Sequence, residues 1–328
     1  MADRQRAPQY SALVIDPDVP KSGGLQSVRA IGEVSAKGTG MGKGKTSKAG
    51  GLSGPLTGSL RGPVAGEFPG VKPGALDADL LRALDRREIE VLFQPQFSCR
   101  TGALVGAEAL ARWQHPTLGT IGARDLFAIA ERAALVAPLS RHVVARALED
   151  AGEWPRELTV SLNITPEELG DPRFAADFAQ VIAKSAIEPE RIMLEITEDV
   201  LLRNLEQASS ALRALRKLGF RTALDDFGAG FCNFRYLREL PLDALKLDKI
   251  MVDGVPGDAK ALAVLRAIIQ LGKALDLAIY AEGIEDDVQR AAITSEGCDY
   301  WQGFLRAEPM KSGEVLALAA TARGRGHG

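Results

Sequence analysis

The stretch RIMLEIT (Arg191–Thr197) is followed by a helical segment, Leu201–Leu218, and then by RTALD (Arg221–Asp225). The first and third pieces are short apolar runs of strand length, whereas the middle piece repeats apolar residues at helical spacing. We predict that one face of this helix packs in the core, and that this face comprises Ala211, Leu212, Leu215 and Leu218. A strand, a helix and a second strand in succession are typical of an α/β fold.

The same alternation runs along the chain from Leu76 onward. The strand candidates are Glu90–Gln96, Val105–Trp113, Leu158–Ile164, Arg191–Thr197, Arg221–Asp225, Ala244–Asp248, Leu277–Glu282 and Cys298–Gly303. Helical stretches separate most of them, and one helix start is predicted at Thr165, which is followed by Pro166. Eight strands within about 250 residues predict an α/β fold of the TIM-like (β/α)8 barrel type.

Composition divides the chain into three predicted parts. Residues 1–75 hold 15 of the 34 glycines together with scattered Lys and Ser, and such a composition buries too little apolar surface to offset the entropy of ordering. We therefore predict a disordered tail over residues 1–75, a folded domain over 76–320 and a second disordered tail over 321–328. The segment Gly38–Lys48 resembles a phosphate-binding P-loop, but its first glycine stands one residue too early, so we reject nucleotide binding there.

The charge of the chain is distributed unevenly. Residues 1–75 carry ten Lys and Arg against five Asp and Glu, while the whole chain has a net charge of -3. The folded part is therefore acidic, which argues against a broad nucleic-acid-binding face. Three cysteines without CxxC spacing and an N-terminus without a signal-like apolar run favour a reducing, cytoplasmic location with no membrane association.

Polar residues recur at the carboxyl ends of the strand candidates. They are Glu108, Asn163, Glu195, Asp225, Asp226, Lys246, Glu282 and Gln302. In a TIM-type barrel these ends meet at one face, so the carboxylates would crowd together and require protons or cations for compensation. Any one of them alone is better explained as a helix cap or an ion-pair partner, but the set together is not. Oxygen ligands without clustered His or Cys favour Mg²⁺ or Mn²⁺.

The adjacent pair Asp225 and Asp226 would allow one carboxylate to bridge two ions while the other binds only the second. A pair of ions about 3.5–4 Å apart suits phosphodiester hydrolysis. Lys246 has two readings at this stage, because a lysine among carboxylates is either an ion-pair residue or a group directed at the attacking water.

Eight sequence blocks resemble, in order, those of the EAL-domain cyclic di-GMP (c-di-GMP) phosphodiesterases. They are FQPQ (Phe93–Gln96), GAEALARW (Gly106–Trp113), SLNIT (Ser161–Thr165), LEITE (Leu194–Glu198), ALDDFGAG (Ala223–Gly230), LKLDK (Leu245–Lys249), AEGIE (Ala281–Glu285) and GCDYWQGF (Gly297–Phe304). The resemblance covers about residues 76–320. It implies a barrel fold and the metal-dependent opening of c-di-GMP to linear pGpG.

The resemblance also implies a role for each matching residue. Metal ligands would be Glu108, Asn163, Glu195, Asp225, Asp226 and Glu282, holding two Mg²⁺ or Mn²⁺ ions. Lys246 would hold or deprotonate the hydrolytic water, and Glu198 would anchor the loop after Asp226. Residues implied to contact or organise the substrate are Gln94, Arg112, Asp248, Glu285 and Gln302. The resemblance further implies a homodimer formed through the barrel.

The loop GAGFCNF (Gly228–Phe234) departs from the usual GTGYSSL, which puts the coupling between metal binding and dimerisation in doubt. A competing hypothesis is a c-di-GMP receptor that binds without hydrolysis and acts through protein partners. Such receptors usually lack some metal ligands, whereas this chain has the whole set, so we favour the enzyme. A third hypothesis, a nucleic-acid-bound regulator, depends only on tail lysines such as Lys43 and Lys45.

Overall fold

The computed structural model describes residues 66, 68, 70–72, 74–197, 205–229, 234–255 and 257–324. They all belong to one compact unit, Leu60–Gly328. Most of the predicted N-terminal tail lies outside the described residues, so that prediction stays untested. Within it, the Gly66 backbone N–H donates to Asp125 Oδ1 at 2.9 Å, and Phe68 and Val71 pack against the core. None of the helices in these described stretches combines the length and the apolar character needed to cross a membrane.

Nine strands make up the sheet. They are β1 (Ile89–Ser98), β2 (Leu104–His115), β3 (Gly119–Ile121), β4 (Thr159–Asn163), β5 (Ile192–Thr197), β6 (Arg221–Phe227), β7 (Ala244–Leu247), β8 (Ala278–Ala281) and β9 (Tyr300–Gln302). All eight strand candidates are confirmed, with ends that differ by three residues or fewer. The sequence reading missed β3, a three-residue strand that forms a hairpin with β2.

The sheet closes into an eight-stranded barrel because β1 pairs with both β2 and β9. Strands β2 and β4 to β9 run parallel, in the order in which they occur in the chain, and β3 pairs only with β2. The expectation that all eight strands point the same way was wrong for β1, which is antiparallel to both neighbours. The short β1–β2 connection explains this, since a tight hairpin joins antiparallel strands only.

Helices lie between the strands. They are α1 (Ala75–Arg86), α2 (Ala123–Arg132), α3 (Val136–Gly152), α4 (Pro166–Leu169), α5 (Phe174–Ile182), α6 (Leu205–Lys217), α7 (Phe234–Glu239), α8 (Lys249–Asp253), α9 (Ala259–Ala274), α10 (Asp287–Glu296) and α11 (Ser312–Gly324). Thr165 caps α4, which confirms the predicted helix start, and it forms a reciprocal capping box with Glu168.

Two boundaries differ from the sequence predictions. Leu212 and Leu215 of α6 are buried as expected, but Leu218 follows the end of the helix and is 46% exposed, so its assignment to the core was wrong. At the other end of the chain, α11 runs to Gly324 and buries Ala319, so order extends beyond the predicted boundary at residue 320.

The strands are buried on both faces. Ile192, Leu194 and Ile196 of β5 belong to the large core between barrel and helices. The alternate positions point into the barrel, since successive side chains of a strand face opposite sides. A small separate cluster fills this interior: Met193, Ala223, Ala244 and Tyr280, with Ala278 and Tyr300 against them. This plug forms the floor of the site described next.

Candidate metal centre at the barrel mouth

The charged residues of the site stand two positions after the residues of the interior plug. Met193 precedes Glu195 on β5, Ala223 precedes Asp225 on β6, and Ala244 precedes Lys246 on β7. Because strand side chains alternate with a period of two, each charged group faces the same interior, one layer nearer to the carboxyl ends of the strands. The fold therefore delivers side chains from distant parts of the sequence to the barrel mouth.

Lys246 lies at the centre of this layer and is 1% exposed. Its ammonium Nζ lies 2.7 Å from Glu195 Oε2, 2.8 Å from Glu282 Oε1, 2.9 Å from Asp225 Oδ1 and 3.3 Å from Glu108 Oε2. One cation thus contacts four carboxylates that come from four different strands or strand ends. These contacts make Lys246 an ion-pair residue, and its predicted role toward the attacking water stays a prediction.

Two amides hold the carboxylate of Glu108 from both sides. Asn163 Nδ2 donates to Glu108 Oε1 at 3.0 Å, and Gln302 Nε2 donates to Glu108 Oε2 at 2.7 Å. Gln302 Nε2 also donates to Glu282 Oε1 at 3.0 Å. The carboxylates are therefore oriented by neutral donors as well as by Lys246.

The negative charge of the cluster exceeds what Lys246 compensates. Burial raises the pKa of Glu195 and of Glu282 well above the usual range, even though Lys246 acts in the opposite direction. The pKa of Glu108 is lowered, because Lys246, Gln302 and Asn163 together outweigh the effect of its burial. Burial thus favours the neutral forms of Glu195 and Glu282, and a cation bound nearby would favour their charged forms.

The donor set fits divalent cations. Glu108, Glu195 and Asp225 each offer an oxygen within 4.8 Å of the others, and Asp225, Asp226 and Glu282 form a second group of the same kind. The two groups share Asp225. Glu195 Oε1 is buried and accepts no hydrogen bond from any described residue, so a lone pair is available there. Carboxylate oxygens in this number are ligands for Mg²⁺ or Mn²⁺.

Asp226 reaches the mouth through an irregularity in β6. The register between β6 and β7 shifts between Leu224 and Phe227, and Asp226 adopts a left-handed backbone with φ of 54°. Such a bulge turns two successive side chains toward one side, which regular alternation would not allow. Asp226 is exposed at the mouth, and partial desolvation by the surrounding protein together with the charge of Asp225 raises its pKa to about 6.

A cleft of about 440 Å³ opens beside the cluster. Glu108, Asn163, Asp225, Asp226 and Glu282 line its inner end. Its outer wall is formed by β2, α2, α3 and the start of α4, and includes Leu110, Arg124, Phe127, Ser140, Val143 and Thr165. A cleft with acidic groups at one end and apolar walls suits a ligand that presents a phosphate to bound cations and an aromatic ring to the walls.

The residues predicted to contact the substrate lie at different places around the site. Gln94 faces Glu108 across the β1–β2 pair, is buried, and donates through Nε2 to the Ala307 carbonyl at 2.7 Å. Arg112 is half-buried, and burial lowers its pKa although the charges of Glu108 and Glu90 act in the opposite direction.

Two further residues of this set lie at the rim. Asp248 accepts a hydrogen bond from the Ile250 backbone N–H at 2.8 Å and so caps α8. Glu285 is exposed and pairs with Lys249. Glu198, predicted to anchor the loop after Asp226, lies outside the described residues.

Sequence reasoning missed Gln96 and Ser161, two buried polar residues directly beneath the cluster. Gln96 Nε2 donates to Gln302 Oε1 at 3.0 Å and to Ser161 Oγ at 3.5 Å. The signal that could have found Gln96 is its spacing, since a residue two positions after Gln94 on a strand faces the same side. Its direct pairing with Gln302 could not be inferred without the direction of β1.

The sequence model of the EAL domain matches residues 77–309, more than half of the chain. The chain belongs to the EAL domain family. The match begins within α1 and ends just before α11, so it contains the whole barrel and every residue of the cluster.

Characterised relatives are similar over this EAL domain. Cyclic di-GMP phosphodiesterase PdeR of Escherichia coli is 34% identical over 238 residues, which are 72% of this chain and 36% of PdeR. The bifunctional diguanylate cyclase/cyclic di-GMP phosphodiesterase MucR of Pseudomonas aeruginosa is 30% identical over 246 residues, 74% of this chain and 36% of MucR. The chain spans about a third of the length of the curated relatives that it matches.

Solved structures agree with the fold. The PaMucR phosphodiesterase in complex with c-di-GMP superimposes with a TM-score of 0.70 at 30% identity, covering 74% of this chain and 99% of that one. An EAL domain protein from Listeria monocytogenes has a TM-score of 0.69 at 24% identity, which bears on the fold alone.

Proposed function

We propose that this chain hydrolyses c-di-GMP to linear pGpG in a reaction that requires Mg²⁺ or Mn²⁺. The observation that carries the proposal is the convergence of Glu108, Glu195, Asp225 and Glu282 on Lys246 at the mouth of the barrel. Similarity to named c-di-GMP phosphodiesterases and to a c-di-GMP complex supports the choice of substrate.

The two overlapping carboxylate groups support this choice of ligands. Glu108, Glu195 and Asp225 would hold one ion and Asp225, Asp226 and Glu282 the other, with Asn163 adding an amide oxygen or fixing Glu108 by its hydrogen bond. Bound divalent ions lower the pKa of water and neutralise charge on phosphoryl oxygens, which is the chemistry that phosphodiester hydrolysis needs. Asp225 is the residue common to both groups.

The other side chains position the reacting groups. Lys246 keeps the four carboxylates together and is suited to hold the hydrolytic water by donating to it from Nζ. Arg112, close to Glu108 and partly exposed, is suited to pair with a phosphate of the substrate. Gln94, Asp248, Glu285 and Glu198 keep the supporting roles predicted from the family resemblance.

The presence of the whole ligand set in one place favours hydrolysis over a receptor that only binds. The test is to incubate the purified protein with c-di-GMP and Mg²⁺ or Mn²⁺, beside Glu108→Ala, and to identify the products by chromatography and mass spectrometry. We expect pGpG from the unaltered protein and almost none from the variant. Tight binding of c-di-GMP without any turnover with either metal would favour the hypothesis of a receptor over that of an enzyme.

We also propose a homodimer formed through the barrel. Phe234, at the start of α7, and Ile250, at the start of α8, are 57% and 68% exposed. The first helix follows β6, which carries Asp225 and Asp226, and the second follows β7, which carries Lys246. Light scattering of the full chain and of Phe234→Asp tests this, since a dimer through this face would dissociate in the variant. The cytoplasmic location, the disordered tails and the lack of nucleic-acid binding remain predictions.

A further inference from the structure

We infer that Gln96 is a positioning residue of the metal centre, which acts by setting the orientation of the Gln302 side-chain amide. The inference rests on the proposed metal site. Gln96 is 1% exposed and belongs to β1, the antiparallel strand of the barrel. It is directly paired with Gln302 of β9, so both side chains lie on the interior face.

A chain of hydrogen bonds connects Gln96 to two carboxylates. Gln96 Nε2 donates to Gln302 Oε1 at 3.0 Å, and Gln302 Nε2 donates to Glu108 Oε2 at 2.7 Å and to Glu282 Oε1 at 3.0 Å. Both hydrogens of the Gln302 amide are therefore directed at candidate ligands, one from each ion group. The second hydrogen of Gln96 is directed at Ser161 Oγ at 3.5 Å.

An amide has two orientations that differ by half a turn, and only one of them suits this place. With the amide reversed, Gln302 Oε1 would face Glu108 Oε2 and Glu282 Oε1, so each carboxylate would lose a donor and meet a third acceptor. The Gln96 N–H stabilises the correct orientation, because it supplies a donor to Oε1 at the other side. Gln96 thereby fixes the orientation in which Gln302 donates to Glu108 Oε2 and Glu282 Oε1, and so helps to hold both carboxylates in place.

Because the residues are buried, the hydrogen bond from Gln96 to Gln302 matters energetically. Gln96, Gln302 and Glu108 are all among the buried polar residues, so water does not replace a lost donor at low cost. Groups that orient metal ligands typically change metal affinity by roughly 10- to 100-fold when they are removed. We therefore expect Gln96→Met, which keeps the volume and removes the donor, to weaken Mn²⁺ binding by about tenfold.

The test is a double-mutant cycle in which the measured quantity is the Mn²⁺ affinity of the full chain without substrate. Electron paramagnetic resonance measures this affinity. The cycle compares the unaltered protein, Gln96→Met, Gln302→Met and the double variant. Because Gln96 acts through Gln302, we expect Gln96→Met to weaken binding about tenfold alone and by less than about twofold when Gln302 is already Met. Gln289→Met, at another buried glutamine, on α10, is the matched control and should leave Mn²⁺ affinity unchanged.

Three outcomes would overturn the inference. They are an unchanged Mn²⁺ affinity in Gln96→Met, the same loss in both Gln302 backgrounds, and an equal loss in Gln289→Met. Should Gln96→Met fail to fold by circular dichroism, Gln96→Asn, which keeps the amide but withdraws it from Gln302, is expected to show the same loss. Failure of the unaltered protein to bind Mn²⁺ would instead count against the proposed function, so the two failures are distinguishable.

Discussion

Lys246 Nζ lies 2.7 Å from Glu195 Oε2, and each side chain is only 1% exposed. This pair sits at the centre of a cluster in which three further carboxylates surround the same ammonium group. An ion pair removed from water is sensitive to the loss of either partner, because the remaining charge stays buried without compensation. The relationship makes Lys246 a structural residue of the cluster, beside the role in hydrolysis that we propose for it.

The first prediction concerns Lys246→Met in protein freed of metal by EDTA. Removing the ammonium leaves four carboxylates without their counter-charge, so the free energy of unfolding should fall by about 3 kcal/mol. Urea denaturation followed by circular dichroism measures this. Lys249→Met removes an ammonium from an exposed pair with Glu285 and should cost less than about 1 kcal/mol. Similar losses in the two variants would contradict the special position of Lys246.

The second prediction concerns the number of bound ions. Asp225 belongs to both carboxylate groups, whereas Asp226 belongs to one. Equilibrium dialysis with Mn²⁺ should find two ions on the unaltered protein and one on Asp226→Asn. In Asp225→Asn, binding of both ions should weaken by at least about tenfold. Asp258→Asn, at an exposed cap of α9, serves as the control and should bind two ions. Equal effects of Asp225→Asn and Asp226→Asn would argue against a shared ligand.

The third prediction concerns Gly303, which follows Gln302. A Cβ at this position would overlap the backbone nitrogen and oxygen of Ile284. Gly303→Ala should therefore lower the free energy of unfolding by about 2 kcal/mol or more, measured by urea denaturation. A Cβ at Gly313 of α11 meets open space, so Gly313→Ala should cost nothing or stabilise by up to about 0.5 kcal/mol. If Gly303→Ala left the free energy of unfolding unchanged, the backbone at Ile284 would have moved to accommodate the Cβ, and the prediction would be wrong.

The fourth prediction concerns thiol reactivity. Burial raises the pKa of Cys99 to about 11, despite a hydrogen bond to Thr294 that acts the other way. Since the thiolate is the reactive form, Cys99 should react with a disulfide reagent at pH 8 about 100-fold more slowly than an ordinary thiol, and faster as the pH rises toward 11. The rate is measured on the variant Cys232→Ser, so that Cys232 does not contribute to it. The same variant unfolded in urea gives the reference rate of an ordinary thiol. Rapid labelling of the native protein at pH 8 would disprove it.

Much of the fold could be predicted because its strands are buried on both faces. Such strands appear in the sequence as compact apolar runs, as in RIMLEIT, and all eight of these runs form strands of the barrel. The strand β3 could not be found this way, since Gly119–Ile121 is too short to show a period. The direction of β1 depends on the hairpin turn near Gly102 and leaves no trace in hydrophobicity.

The candidate site was predictable in its acidic part for a similar reason. Glu195, Asp225 and Lys246 each interrupt an apolar run near its end, where a buried charge requires an explanation. Gln96 and Ser161 carry no charge and stand inside their strands, so only the closed barrel shows that they face the cluster. The bulge that turns Asp226 toward the mouth likewise depends on the register with β7.

The most direct test of the central claim is anomalous diffraction from crystals grown with Mn²⁺. The account predicts two manganese peaks at the barrel mouth, both within coordination distance of Asp225, the first also contacting Glu108 and Glu195 and the second Asp226 and Glu282. Manganese absent from the mouth, or bound only elsewhere on the protein, would contradict it.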